Sequence, residues 1–266
     1  MTMRGPSLIW LGQAGFLLDL GDIVVLIDPY LSDSLAEKYR GRRFAHLRMM
    51  APPITAEALA RVDLVLCTHR HGDHMDPGTL PVIATRHPDC RFVVPAAERR
   101  HAQTLGLPED RLVLAAADET IELLGLAITP VPAAHESLEC DEAGRHRFLG
   151  YGIAGRGCAL YHSGDCIPYP GLAARVAALG ARLALLPVNG RDAERASAGI
   201  PGNFTLDEAA ALCREAAIPV MLAHHWGMFD FNTCDPVAIA SFAATTEVPR
   251  IIMPQPGLQL RIGSDG

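Results

Sequence analysis

Short apolar runs alternate along this chain with breaks rich in glycine, proline and charge, the pattern of strands joined by turns and helices. Leu8–Leu11, Gly15–Leu20 and Ile23–Asp28 predict three strands, parted by Gly12–Ala14 and a tight turn at Gly21–Asp22. A polar, basic stretch from Ser32 to Pro53 interrupts the pattern, and Thr55 can cap a helix running to about Arg61. Asp63–Thr68 predicts a buried strand, with His69–His74 directly after it. Strands are predicted over Phe92–Pro95 and Arg111–Leu114, with a helix across Ala96–Leu105 between them. Ile121–Leu124 with Leu126–Pro130, and Phe148–Ala154 with Cys158–Ser163, predict two hairpins. The last part predicts strand Leu183–Pro187, helix Leu206–Ala216, strand Val220–His224, helix Pro236–Ala244, and strands Arg250–Met253 and Leu258–Ile262. Periodicity alone assigns an α/β or α+β class, and the mix fits two sheets face to face with helices outside.

At 266 residues the chain suits one domain spanning 1–266. Apolar residues at 49% and charged residues at 20% are a globular composition. A net charge of −7 argues against general nucleic-acid binding, which needs a basic face. Met1–Pro6 is short and polar, and the apolar run after it is broken by Gly12, Gln13 and Gly15. Neither a signal peptide nor a membrane span is expected there. Seven cysteines without paired spacing are expected to be reduced thiols in a cytoplasmic protein.

The chemistry concentrates in His69-Arg70-His71-Gly72-Asp73-His74. Imidazole and carboxylate suit zinc, iron and manganese. His69 and His71 stand two apart at a strand end, so an extended backbone points both to one face. Gly72 would let the chain turn sharply without a Cβ penalty, presenting Asp73 and His74 to a second ion. With 11 histidines in the whole chain, three within six residues are hard to obtain by composition. A histidine-rich solvent loop, or core histidines satisfied by backbone groups, is the competing explanation.

This motif after a buried strand resembles the signature of the metallo-β-lactamase superfamily. Trp10-Leu11-Gly12-Gln13-Ala14-Gly15-Phe16, Ile27-Asp28-Pro29-Tyr30, Ser163-Gly164-Asp165, Pro187-Val188-Asn189-Gly190-Arg191-Asp192 and His225-Trp226-Gly227-Met228-Phe229 are similar to its L-ascorbate-6-phosphate lactonase-like branch. The likeness runs from Trp10 to Asn232, although the lactonase relatives tend to be longer. It implies an αββα sandwich of two mixed sheets and two divalent ions, Zn2+ by default with Mn2+ or Fe2+ as alternatives. By the same resemblance His69, His71 and His135 would take one ion, Asp73, His74 and His225 the other, and Asp165 would bridge them. Asp28 would act behind the ligands as an anchor. His225 is preferred over His224 because the family histidine precedes an aromatic residue, here Trp226.

The function expected is hydrolysis of a small, anionic ester, lactone or phosphate by water activated between the ions, with Asp165 and Asp73 as catalytic carboxylates. Asn189 and Arg191 are the candidate substrate contacts. Lys38, Arg40, Arg42, Arg43 and Arg48 form a basic cluster that could steer an anion or form a lid, or be plain solvated surface. His162 is a candidate support behind the ligands. Cys67 and Cys166 are expected to be buried thiols, and His46, His87, His101 and His146 loop or surface histidines. Phosphodiester cleavage and a non-catalytic metal-binding role are the competing functions. Expected partners are a small-molecule substrate and, as an open alternative, a second copy of the chain, with neither nucleic acid nor membrane.

Overall fold

The computed structural model describes residues 5–262, so residues 1–4 of the N-terminal stretch and residues 263–266 lie outside the described part. In the first half, β1 (Ser7–Gly12), β2 (Gly15–Asp19) and β3 (Val24–Ile27) form an antiparallel meander. Helix α1 (Ser34–Lys38) precedes β4 (Leu64–Leu66), which pairs parallel with β3. Helix α2 (Leu80–Arg86), β5 (Arg91–Pro95), α3 (Arg99–Thr104) and β6 (Leu112–Ala115) extend the sheet in parallel. The second sheet starts as an antiparallel run of β7 (Ile121–Leu123), β8 (Leu126–Pro132), β9 (Leu149–Gly155) and β10 (Cys158–His162). Helix α4 (Leu172–Ala178), β11 (Leu183–Pro187), α5 (Ala193–Ser197), α6 (Leu206–Glu215), β12 (Val220–His224), α7 (Pro236–Thr245) and β13 (Arg250–Ile252) follow, with these strands parallel to β10. Strand β14 (Gln259–Arg261) crosses back to pair with β1. Among the described residues the result is two seven-stranded sheets, β14-β1-β2-β3-β4-β5-β6 and β13-β12-β11-β10-β9-β8-β7.

Strand alternation explains the layering. Leu8, Trp10, Phe16, Leu18, Val25 and Ile27 meet Ile128, Tyr151, Ile153, Leu160, Leu185 and Leu222 between the sheets. The intervening Leu11, Leu26 and Val65 pack outward with Leu80 and Ile83 of α2. On the other side, Ala184, Leu186 and Ala223 pack with Val176 of α4 and with Ala209 and Leu212 of α6. Strands covered on both faces are near-continuously apolar, which is why β11 and residues 220–223 of β12 read as hydrophobic runs. This is an αββα sandwich, and no helix among the described residues is long and apolar enough to cross a membrane.

Three local expectations are corrected. The segment after Thr55 makes one 3-10 turn, Ala56–Ala58, and Leu59 returns to extended backbone, so no helix reaches Arg61. The segment 96–105 divides into a 3-10 turn, Ala96–Glu98, and α3. The polar stretch after Ser32 contains α1, whose Leu35 is buried.

Candidate metal centre

Strand ends deliver the chemistry to one edge of the sandwich. Asp28 follows β3, His69–His74 follow β4, His135 lies past β8, Asp165 past β10 and His225 past β12. After β4 the chain winds into a helical turn, with the Met75 and His74 amides donating to the His71 carbonyl at 2.8 and 3.0 Å. A Cβ at Gly72 would lie 2.8 Å from Leu35 Cδ2, so a side chain there would have to displace the tip of Leu35. The chain turns sharply at Gly72, as expected, and does so within a right-handed helical turn, without the positive φ that only glycine adopts freely. Gly164 needs both freedoms, with φ +61° and a Cβ position 2.8 Å from Thr68 Cβ. That close approach brings the Asp165 loop against the His69 loop.

Possible ligand atoms of His69, His71 and His135 lie within 4.8 Å of one another, as do those of Asp73, His74 and His225, and those of His69, His74 and Asp165. Asp165 is central: Oδ1 is 3.3 Å from His74 Nε2, while Oδ2 is 3.3 Å from His225 Nε2 and 3.4 Å from His135 Nε2. Within this cluster His69 Nε2, His74 Nε2 and Asp165 Oδ1 are buried and lack hydrogen-bond partners among the described residues. Buried polar atoms are costly unless something satisfies them, and a cation among lone pairs of these types does so. The donor set therefore fits divalent ions.

Charge and burial pull the groups apart. Burial works against protonated His74, yet Asp165, Asp28 and Asp73 outweigh it and hold its pKa well above the usual imidazole value. Burial would raise Asp165, but the His225 and His74 imidazoles hold it well below the carboxylate range. Burial depresses His69 strongly and His135 to about 4. Asp28 sits behind the cluster, its Oδ2 accepting from His74 Nδ1 at 2.6 Å and from Thr68 Oγ1 at 2.6 Å, and its Oδ1 from the Thr68 amide at 2.8 Å. Such a contact fixes the imidazole tautomer and leaves Nε2 free for an ion.

The two adjacent histidines after β12 face opposite ways. His224 stacks on His162 at 5.0 Å and meets the edge of Phe16 at 5.5 Å, inside the sandwich. His225, with φ +62°, turns into the cluster. His162 does not reach the cluster. Its Nε2 donates to the Ala14 carbonyl and its Nδ1 accepts from the Gly164 amide, each at 2.9 Å, tying two site loops together.

The cluster opens onto a cavity of about 660 Å3. Lys38, Arg42, Arg43 and Arg70 line it, and among the described residues its acids are Asp73 and Asp165. Arg43 is paired with Glu194, whereas Lys38, Arg42 and Arg70 have no ion-pair partner among the described residues. Arg48 is structural: it donates to the Tyr30 and Ser32 carbonyls at 2.7 Å each and lies over the Tyr30 ring. His46 and His101, expected to be ordinary loop residues, also line the cavity, and His46 stacks on Tyr39 at 4.3 Å.

The two candidate substrate residues do not line the cavity. Arg191 forks onto Glu208 with two 2.6 Å hydrogen bonds and also donates to the Asn203 carbonyl. Asn189 is buried, donating to Asn232 Oδ1 at 2.7 Å and accepting from Asn203. Asn232 is the residue exposed to the cavity, held by Asn189 and by Arg195. Its place depends on contacts across 43 positions of sequence, which no local pattern signals.

Residues 24–226 match the family model described as the beta-lactamase superfamily domain. The chain belongs to the metallo-β-lactamase superfamily. A UPF0173 metal-dependent hydrolase from Methanopyrus kandleri is 30% identical, over 85% of this chain and 86% of its own length. Another from Hyperthermus butylicus is 26% identical, over 93% of this chain and 96% of its length. Among solved structures, isothiocyanate hydrolase from Delia radicum gut bacteria superposes with a TM-score of 0.78 at 18% identity, covering 97% of this chain and 99% of that one. At that identity the likeness concerns the fold alone. This superfamily membership agrees with the αββα sandwich, and none of these relatives is described as an ascorbate-phosphate lactonase.

Proposed function

We propose that this protein is a two-metal hydrolase acting on a small anionic ester, lactone or phosphate. The observation that carries the proposal is Asp165, whose two oxygens stand 3.3–3.4 Å from imidazole nitrogens of three different loops. In this reading His69, His71 and His135 hold one ion and Asp73, His74 and His225 the other, with Asp165 between them. Bound there, the ions would supply a nucleophile from water at neutral pH and polarise the scissile bond. Asp73 lines the cavity and keeps 15% of its side chain exposed, so it is placed to take up a proton and pass it to the leaving group. Asn232 offers its amide to the substrate side of the cavity.

The charge of the mouth supports an anionic substrate. Lys38, Arg42 and Arg70 stand around it without carboxylate partners among the described residues, in a chain whose net charge is −7. Cations kept unpaired at a cleft in an acidic protein concentrate anions at that cleft.

The test is a hydrolysis screen comparing lactones, carboxylated esters and bis-(p-nitrophenyl) phosphate on metal-replete protein and on Asp165→Ala. The proposal expects turnover of an anionic ester or lactone that disappears in Asp165→Ala together with bound metal. Turnover by Asp165→Ala at the wild-type rate would overturn it.

A further inference from the structure

Gln13 is a fully buried polar residue at the centre of the site that the two-ion scheme leaves without a role. It stands in the turn between β1 and β2 with φ +50°, a left-handed conformation that a side chain disfavours. Two contacts hold it there: its carbonyl accepts from Trp10 Nε1 at 2.9 Å and from the His225 amide at 3.0 Å. Because the backbone of Gln13 is bonded to the backbone of His225, the two residues are positioned together.

The side chain reaches into the second ligand group. Its Nε2 lies 2.8 Å from Asp73 Oδ2 and 3.1 Å from His225 Nε2. Ligand atoms sharing one ion, at bonds of about 2.0–2.2 Å, lie roughly 2.8–4.4 Å apart depending on the angle between them. Asp73 Oδ2 and His225 Nε2 are themselves 3.9 Å apart. The end of the Gln13 amide thus keeps ligand-to-ligand spacing from two proposed ligands of the second ion.

The remaining end of that amide is unsatisfied. Gln13 Oε1 is buried and has no hydrogen-bond partner among the described residues. In the present orientation the amide donates to Asp73 and meets the His225 lone pair, the two groups an ion would claim. Turned end for end, the amide places Oε1 where Nε2 now stands, where a cation would satisfy it, and moves Nε2 to the buried position that Oε1 now occupies.

We infer that Gln13 supplies its amide oxygen as a further ligand of the second ion, beside Asp73, His74 and His225. The inference rests on the two-ion reading above. A neutral carbonyl oxygen adds hard donor character, so it biases this position towards Mn2+ relative to Asp73, His74 and His225 alone.

The test is a Mn2+ titration of chelator-stripped full-length protein, following free Mn2+ by electron paramagnetic resonance. Wild type, Gln13→Leu and Gln13→Glu are compared, with a crystal structure of Mn2+-loaded wild type. The expected result is two bound ions in wild type. In Gln13→Leu the second ion should weaken about tenfold or more with the first unchanged, and in Gln13→Glu, which restores an oxygen, its affinity should return. The crystal structure should place Oε1 within about 2.4 Å of the second ion. Equal second-ion affinity in wild type and Gln13→Leu overturns the role of Gln13 while leaving the two-ion reading intact. So does a loaded structure in which Nε2 still donates to Asp73, which remains decisive if Gln13→Leu fails to fold. Failure of wild type to take up a second ion overturns both.

Discussion

Asp28 Oδ2 accepts a 2.6 Å hydrogen bond from His74 Nδ1, and both side chains are fully buried. One carboxylate thereby determines which nitrogen of His74 faces the cluster, and through Thr68 it also holds the strand end from which His69 projects. Replacing Asp28 by Asn keeps the shape but puts an NH2 group or a weaker acceptor against His74. Metal affinity should fall roughly 10–100-fold, as for other carboxylates that orient metal-bound imidazoles. A competition titration against a chromophoric chelator measures this, and wild-type affinity in Asp28→Asn would remove the anchoring role.

The cationic mouth predicts a substrate-dependent effect. Lys38→Ala combined with Arg42→Ala should raise KM for a carboxylated ester several-fold at low salt, leaving a neutral ester of the same shape within about twofold. The difference should shrink as ionic strength rises, because both cations are exposed. Steady-state kinetics at two salt concentrations measures it. Equal effects on both esters would mean these side chains act by packing.

Arg191 should behave differently from the mouth cations. Its guanidinium is held by Glu208, and the pair is partly exposed, at 40% and 29%. Arg191→Ala should leave KM for anionic and neutral esters unchanged and cost under about 1 kcal/mol of stability in urea unfolding. A selective rise in KM for the anionic ester would return Arg191 to the substrate site.

The thiols offer a check on burial. Burial pushes Cys166 to about 12, Cys213 to about 12, Cys90 to about 12 and Cys158 to about 11, so few thiolates form at neutral pH. Cys140 is exposed. Iodoacetamide on folded protein should modify Cys140 first and spare these four until denaturant is added, as read by peptide mass spectrometry. Rapid labelling of Cys166 in folded protein would contradict its burial with Ala133, Tyr161 and Phe204.

Much of this architecture is legible in the chain itself. β11 and β12 coincide with the predicted strands Leu183–Pro187 and Val220–His224, because strands covered on both faces carry continuous apolar runs. Helices α2 and α4 have no such signature: α4 is nearly all alanine and leucine-like, with only Leu172 and Val176 buried, so its amphipathic contrast is small. The candidate ligands were legible through the local motif and strand-end positions, together with the family resemblance. The cavity wall was not, since one basic stretch divides between Lys38 and Arg42 at the cavity, Arg43 on Glu194 and Arg48 in the Tyr30 loop. Nothing in residues 38–48 distinguishes these fates, because each is decided by partners elsewhere in the chain. Gln13 is hidden for the same reason, its place being fixed by His225 and Asp73 across 212 and 60 positions.

The measurement closest to the central claim is elemental analysis of protein purified without a chelating tag and dialysed after exposure to Zn2+ or Mn2+, for wild type and Asp165→Ala. The account predicts about two ions per wild-type chain, a higher melting temperature than the chelator-stripped form, and loss of bound metal in Asp165→Ala. A wild-type chain that retains no metal and melts at the same temperature with and without it would contradict the account.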